Sequence, residues 1–222
     1  GRVSSADMLQ GNDPATLVGL TQGTAINSGT EWLKFAYQGK ILFVPRMPLR
    51  SDISYAAIYA AGAVYGTEGF GVSPLVPNVK QNKKVTIGAN QFSVRLFQGA
   101  DTDPSTSTAY FSNDPVGTKN SEWTQLMSRV WASNPNGIFW ERFTDAELGT
   151  VTGGKNMAAW TQELVTGTPY RVVRNHPPFL GYSADTDTSI GVHNTISSWW
   201  PVFELVPNTT PALTIFDSTN AL

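Results

Sequence analysis

The sequence contains no cysteine, and this absence excludes three kinds of chemistry at once. A chain without a thiol has no disulfide, no thiolate metal site and no cysteine nucleophile. Histidine is also scarce, because His176 and His193 are the only two in 222 residues. No Gly-x-Ser-x-Gly nucleophile elbow accompanies them, and their separation does not suit two metal ligands on one helix face. We therefore expect no catalytic residue, no metal, no cofactor and no enzyme activity.

Charged residues and long apolar runs are few as well. Charged residues make up 14% of the chain and the net charge is −2, whereas about a quarter of a typical globular protein is charged. Because there is no basic stripe, nucleic acid is not an expected partner. No apolar run approaches the roughly 18 residues of a membrane span, so we expect no membrane insertion. The surface must rely on Ser, Thr, Asn, Gln and Gly.

Composition divides the chain into three segments. Residues 1–30 are rich in Gly, Ser, Thr and Asn, which predicts an extended N-terminal arm or linker. Residues 31–206 carry regular apolar patterns and predict a single globular domain. Residues 207–222 are predicted to be a C-terminal tail.

Alternating apolar residues predict the strands of this domain. Residues 31–45 and 83–97 each read as a β-hairpin, with turns at Gln38-Gly39 and at the Gly-Ala-Asn that begins at Gly88. Further strands are predicted at residues 157–164, 170–174 and 199–206. Successive strand residues face opposite ways, so one of Trp199 and Trp200 is expected inside and the other outside.

Two main short helices are predicted among these strands. Residues 51–66 offer Ser51, Asp52 or Ser54 as an N-cap to an Ala-rich stretch. Residues 121–131 begin with a capping Ser and place Trp123, Leu126, Met127 and Val130 at helical spacing. Residues 143–149 read as one further helical turn, and residues 99–120 as a long loop. The fold class is α+β, mostly β, with hairpins and long loops.

The carboxylates admit catalytic interpretations, which we set against structural ones. Paired Glu residues could cleave glycans if they faced each other at about 5 to 10 Å, which spacing in sequence cannot show. Glu163 and Glu204 lie in apolar strand patterns, where Arg171 or Arg174 would be the simplest partner. Asp185 and Asp187 are two residues apart, as in a calcium loop, but the Gly and Glu of an EF-hand are missing. Solvated turn residues are the favoured interpretation there and for the Asp-Thr-Asp at residues 101–103.

Eight segments follow one another in the order LVGLTQGTAINSGTEWLKFAYQGKILFVPRMPLR, AAGAVYG, VTIGANQFSVRLFQGADTDP, SEWTQLMSRV, FTDAELG, AAWTQE, RVVRN and WWPVFELV. Their order resembles a family of tailed-bacteriophage virion proteins, described as structural or tail-fibre proteins, over about residues 17 to 206. The second half also resembles the end of a C-type-lectin-like domain, in which Trp-x-x-Glu, Arg-Val-x-Arg and Gly-Trp-Arg-Pro-Val strands follow one another. Here Trp200 stands where that closing motif has Arg. The segments that correspond to the three lectin-like strands are WTQE, RVVR and SWWPVFEL.

The resemblance implies a virion component with a C-type-lectin-like domain at residues 31–206. Its partners would be other virion proteins, copies of itself and a host cell-surface glycan or protein. The loop at residues 175–198, with residues 99–120, would be its contact surface, either for host recognition or as wrapping that contacts nothing. Alternatives are a capsid decoration or connector protein laced through its N-terminal arm, and a virion enzyme that cleaves glycans. The candidate contact residues are His176, Phe179, Tyr182, Asp185, Asp187, His193 and Asn194.

Overall fold

The computed structural model describes residues 1–106, 117–127, 158–176, 181–186 and 197–207, and strands outnumber helices in them. The predicted class, α+β and mostly β, is confirmed at this level. The helices are α1 (Ser5–Leu9), α2 (Pro14–Val18), α3 (Tyr55–Ala60) and α4 (Glu122–Leu126). The strands are β1 (Arg2–Val3), β2 (Thr24–Ala25), β3 (Trp32–Tyr37), β4 (Lys40–Pro45), β5 (Arg50–Ser51), β6 (Lys84–Ile87), β7 (Asn90–Arg95), β8 (Ala158–Leu164), β9 (Tyr170–His176), β10 (Gly181–Thr186), β11 (Ser197–Ser198) and β12 (Val202–Leu205).

The larger sheet has six strands in the order β1-β3-β4-β12-β7-β6. Both predicted hairpins are confirmed, since β3 pairs with β4 and β6 with β7, each antiparallel. Strand β12 comes from the far end of the described chain and lies between the two hairpins. Its Phe203 stands opposite Phe43 on one side and Val94 on the other. One distant strand therefore joins two locally formed hairpins.

The smaller sheet has the order β10-β9-β8-β11, with β11 parallel to β8. The pairing of β8 with β9 changes register between Trp160 and Leu164, which marks a bulge at residues 161–163. Along this bulge runs the chain segment from Phe97 to Ser105, through single bridges to Thr161 and Val165. The segment from Phe97 to Ser105 therefore packs against the bulged part of β8.

Both predicted helices begin at the expected serines. The hydroxyl of Ser54 accepts a hydrogen bond from the N–H of Ala57, and Ser121 accepts one from Thr124. Helix α4 ends at Leu126 with Met127 as its C-cap, one residue before the described range stops. None of the helices in the described residues is long and apolar enough to cross a bilayer. The predicted turn at residues 143–149 and the tail beyond residue 207 lie outside the described residues.

Residues 1–30 do not form an extended arm, and that prediction is wrong. They contain α1 and α2, and β1 extends the large sheet by pairing with β3. Met8, Leu9 and Val18 are buried in the main core cluster. The five buried apolar side chains of residues 1–20 do not show a pattern of one period, yet all five lie in the main core cluster, and the two short helices place four of them there.

The tryptophan pair in the last strand region corrects a second prediction. Trp199 and Trp200 face opposite ways, as alternation requires, but both are fully buried. Trp199 joins the main core cluster beside α1 to α3, whereas Trp200 joins a second cluster and meets Trp123 of α4 edge to face at 5.2 Å. Both faces of this segment are covered, so neither ring is available to a partner.

An ion network ties α4 to the large sheet. Arg95 of β7 donates from Nη1 and Nη2 to both oxygens of Glu122, each at 2.7 Å, and from Nε to Glu204 at 3.0 Å. Lys40 of β4 completes the group at 2.9 Å from Glu204. Glu204 is therefore partnered by Arg95 and Lys40, which corrects the prediction of Arg171 or Arg174. Burial raises the free-energy cost of breaking such a pair.

Candidate functional site

The predicted contact loop at residues 175–198 is in part a hairpin. His176 ends β9 opposite Gly181, and in β10 Tyr182 and Asp185 stand opposite Arg174 and Arg171. The prediction of one continuous loop is wrong for residues 181–186, because β10 adds to the edge of the small sheet through its backbone. The candidates that lie outside the described residues are Phe179, Asp187, His193 and Asn194.

A different segment, residues 67–80, exposes apolar side chains, and we call it the apolar loop. It connects the region after α3 to the turn before β6 and contains no helix or strand. The exposed fraction is 44% for Phe70, 66% for Val72 and 95% for Val76. Three large apolar side chains are therefore exposed within seven residues of one loop, whereas apolar residues scattered singly over a surface need no explanation.

The backbone of the apolar loop is held in place by buried groups. Gln81, fully buried, donates to the carbonyl oxygens of Tyr59 and Val79 and accepts from the N–H of Val64. The hydroxyl of Tyr59 donates to the carbonyl oxygen of Phe70 at 3.0 Å. Gly71 has φ of +89°, and a Cβ there would lie 2.2 Å from the ring of Tyr65. Backbone groups at Phe70, Gly71 and Val79 are therefore held by contacts with buried residues.

A cluster of polar side chains, which we call the polar anchor, fixes the middle of the same loop at Ser73. The Ser73 hydroxyl donates to Oδ1 of Asp103 at 3.1 Å, and its carbonyl oxygen accepts from Arg171 at 2.9 Å. The guanidinium of Arg171 also lies over the ring of Tyr55, 4.5 Å from its centroid. The polar anchor consists of Tyr55, Tyr65, Ser73, Asp103 and Arg171.

Burial sets the protonation of the polar anchor. It raises the pKa of Tyr65 to about 12 and that of Tyr55 well above its usual range. Both phenols therefore remain neutral donors, with Tyr55 bonded to the carbonyl oxygen of Gln162 at 3.0 Å. Burial also raises the pKa of Asp103, which hydrogen bonds from Leu164 and Ser73 oppose. Asp103 is thus a half-buried anchor, which corrects its interpretation as a solvated turn residue.

A second attachment holds the start of the neighbouring loop, residues 99–106, which we call the Gly99 turn. The N–H of Gly99 lies 2.9 and 3.0 Å from the two carboxyl oxygens of Glu163 in the β8 bulge. A Cβ at Gly99 would lie 2.4 Å from Oγ1 of Thr161, so only glycine allows this approach. Arg174 donates to the Gly99 carbonyl oxygen at 2.9 Å and to the hydroxyl of Thr124 at 3.2 Å.

Glu163 is predicted from the sequence to be a partnered buried carboxylate, and its partners are different from the expected ones. Its carboxyl group bonds to the N–H of Gly99 and the hydroxyl of Thr161; Arg171 and Arg174 donate instead to the backbone carbonyls described above. Burial raises the pKa of Glu163 to about 8, against the lowering effect of these hydrogen bonds.

A groove of about 390 Å³ lies at the N-terminal helices. Its wall combines apolar Leu9, Ile26 and Leu49 with polar Asn12 and Asp13. The carboxylate of Asp13 caps α2 by accepting from the N–H groups of Ala15 and Thr16. Asp13, the charged residue in the wall of the groove, is therefore already engaged in capping α2.

Several glutamates of the described residues form ion pairs, among them three that could serve a glycan-cleaving site, Glu31, Glu122 and Glu204. Glu122 and Glu204 bind Arg95, Glu31 binds Arg46, and Glu68 binds Lys84. Glu141 and Glu147 lie outside the described residues. No group of three or more metal-binding side chains occurs among the residues that the structure describes.

Sequence reasoning passed over the apolar loop. Its signal was present in Phe70, Val72, Leu75, Val76 and Val79, apolar residues set among Gly and Pro without the period of a strand or helix. Such a run has no face to bury as a regular element, and tertiary contacts alone decide which of its side chains remain outside.

No family model, curated protein or solved structure matches the chain.

Proposed function

We propose that this chain is a structural protein of a bacteriophage virion, an appendage of the tail fibre, baseplate or head fibre. Its mostly β, C-type-lectin-like frame would display loops that recognise the host surface. The cysteine-free composition, the low charge and the ordered segments that resemble phage virion proteins support this proposal. A rigid sheet frame with function placed in its loops is the common division of labour in recognition modules.

The apolar loop is the observation that carries the proposal. It exposes Phe70, Val72 and Val76 on a backbone held by Tyr59, the polar anchor and Gln81. A loop already held in one conformation loses little entropy on binding, so its contacts are converted into affinity more fully. An appendage present in many copies adds avidity to a weak single contact.

The second candidate function is a capsid decoration or connector protein. The same exposed side chains favour it, because apolar groups suit a protein partner of the virion as well as a host receptor. The extended arm that would have joined a connector to its neighbours is not present, since α1 and α2 of residues 1–30 belong to the core. Deleting residues 1–30 would therefore damage folding and could not distinguish the two roles.

Binding to intact host cells distinguishes them. The purified protein and the double variant Phe70→Ser/Val76→Ser are presented as multivalent beads, with folding checked by circular dichroism. The matched control is Tyr170→Ser, an exposed aromatic residue outside the apolar loop, 40% accessible. We expect wild type and control to bind and the double variant to lose at least about tenfold in affinity, which is about 1.4 kcal/mol. Equal binding by all three would refute a role for the apolar loop.

A third variant tests the hairpin region of the sequence prediction. Residues 177–180 and 187–196 are replaced by Gly/Ser segments of equal length, which leaves β9 and β10 intact. If this variant alone loses cell binding, the contact surface lies there and not on the apolar loop. If no form binds host cells but wild type binds purified virions that lack the protein, the connector role is the correct one.

A further inference from the structure

We propose that Glu163 is carried as a neutral carboxylic acid and acts as a proton-operated latch that fastens the Gly99 turn to β8. The latch consists of Glu163, Thr161, Val172 and Gly99. All four are buried, with exposed fractions of 2% for Glu163 and 0% for Thr161 and Val172. This inference is independent of the proposed function, because it concerns a proton and not a partner.

The hydrogen-bond geometry around Thr161 has room for one more proton than an ionised Glu163 provides. Oγ1 of Thr161 lies 2.9 Å from Oε2 of Glu163 and 3.1 Å from the carbonyl oxygen of Val172. A hydroxyl group has a single proton and can donate only once. If Glu163 were ionised, the carboxylate and the carbonyl oxygen of Val172 would compete for that proton, and one of the two would lose its hydrogen bond to Thr161.

A proton on Oε2 satisfies the whole group. Glu163 then donates to Oγ1 of Thr161, and Thr161 donates to the carbonyl oxygen of Val172. The other oxygen, Oε1, accepts from the N–H of Gly99 at 2.9 Å. Both contacts of Thr161 then have a donor and an acceptor, and the N–H of Gly99 keeps Oε1 as its nearer acceptor, with Oε2 at 3.0 Å.

The charged groups around the latch agree with a neutral Glu163. Asp103, on the Gly99 turn, contributes a repulsive negative charge. On β9, Arg171 bonds to Ser73, and Arg174 bonds to the carbonyl oxygen of Gly99. On α4, Glu122 is paired with Arg95. No ion pair among the described residues includes Glu163. Burial without a paired cation raises its pKa to about 8.

The consequence is a turn that is held more tightly as the pH falls. When the Gly99 turn opens, water reaches Glu163 and its pKa returns toward 4.5. Opening then releases a proton at every pH between these two values, so the opening equilibrium rises about tenfold per pH unit in that window. Above about pH 8 the carboxyl is ionised in both states and the dependence ends. Acid closes the latch and base loosens it.

Two measurements on the full-length protein test the latch. In protein labelled with ¹³C at the glutamate carboxyl carbons, the Glu163 resonance should titrate near pH 8. A midpoint in the ordinary range near pH 4.5 would overturn the proposal. The Glu163→Gln variant assigns this resonance by its absence, and if that variant fails to fold, through-bond assignment in the wild type serves equally well.

The second measurement is hydrogen exchange at the amide of Gly99, corrected for the intrinsic effect of pH. We expect protection in the wild type to fall about tenfold per pH unit from pH 5 to 8 and then to level off. Glu163→Gln should show no such fall. The control Glu68→Gln removes an exposed carboxylate and should behave as wild type. The same pH dependence in Glu163→Gln, or none in the wild type, would refute a latch at Glu163.

Discussion

Replacing Glu163 by Gln should remove the pH dependence of stability that this residue introduces. Glutamine has nearly the shape of the neutral acid, so its Oε1 can accept from the N–H of Gly99 and its Nε2 can donate to Thr161. Thr161 then remains free to donate to the carbonyl oxygen of Val172. The variant therefore keeps the hydrogen bonds of the neutral form and loses the proton equilibrium.

The magnitude follows from the two pKa values of Glu163. Its pKa is about 8 in the folded protein and 4.5 in the ordinary, exposed state. The stabilising effect of the raised pKa is fully present below pH 4.5, where both states are protonated, and is lost as the pH rises toward 8. At 1.36 kcal/mol per pH unit, the loss at pH 7 is about 3 kcal/mol. Relative to wild type, Glu163→Gln should gain about this amount between pH 4.5 and pH 7.

Urea unfolding at a series of pH values measures this difference. Fluorescence of the buried tryptophans reports the transition for wild type, Glu163→Gln and the surface control Glu68→Gln. Each variant is compared with wild type by how the difference in the free energy of unfolding changes with pH. A constant destabilisation by the Gln side chain then cancels. If the free-energy difference between wild type and Glu163→Gln stays constant to within about 1 kcal/mol from pH 4.5 to pH 8, the carboxyl is ionised in the fold and the reasoning fails.

Two further variants test the core and the ion network. Leu9→Ala should lower the free energy of unfolding by about 3 kcal/mol, because Leu9 is 3% exposed in the main core. A loss under about 0.5 kcal/mol in urea unfolding would show that residues 1–30 are not part of the core. Glu122→Gln should cost about 3 kcal/mol, because it leaves the buried Arg95 without its bidentate partner. Thermal unfolding measures this loss, and restoration of stability by adding Arg95→Met would confirm that the buried charge of Arg95, left with Glu204 alone, caused it.

The sequence determined the elements that depend on neighbours in the chain. Alternation placed β3 with β4 and β6 with β7, and Ser54 and Ser121 marked the two predicted helix starts, because turn and cap preferences act over two to four residues. It also indicated that Glu163 would be buried and partnered. The hairpins and helix starts follow from local geometry alone, and the structure has them at nearly the predicted positions.

The tertiary structure decided everything that joins distant residues. Trp199 and Trp200 alternate as expected, yet only the layers on both faces bury them together. Glu163 obtains its partner from Gly99, 64 positions away, because a bulge in β8 turns the carboxyl toward that turn. The apolar loop is exposed on a backbone that distant residues hold, through hydrogen bonds of Gln81, Tyr59 and Ser73. A local sequence pattern indicates which residues prefer burial. Only the packing of distant elements determines which of those residues are buried.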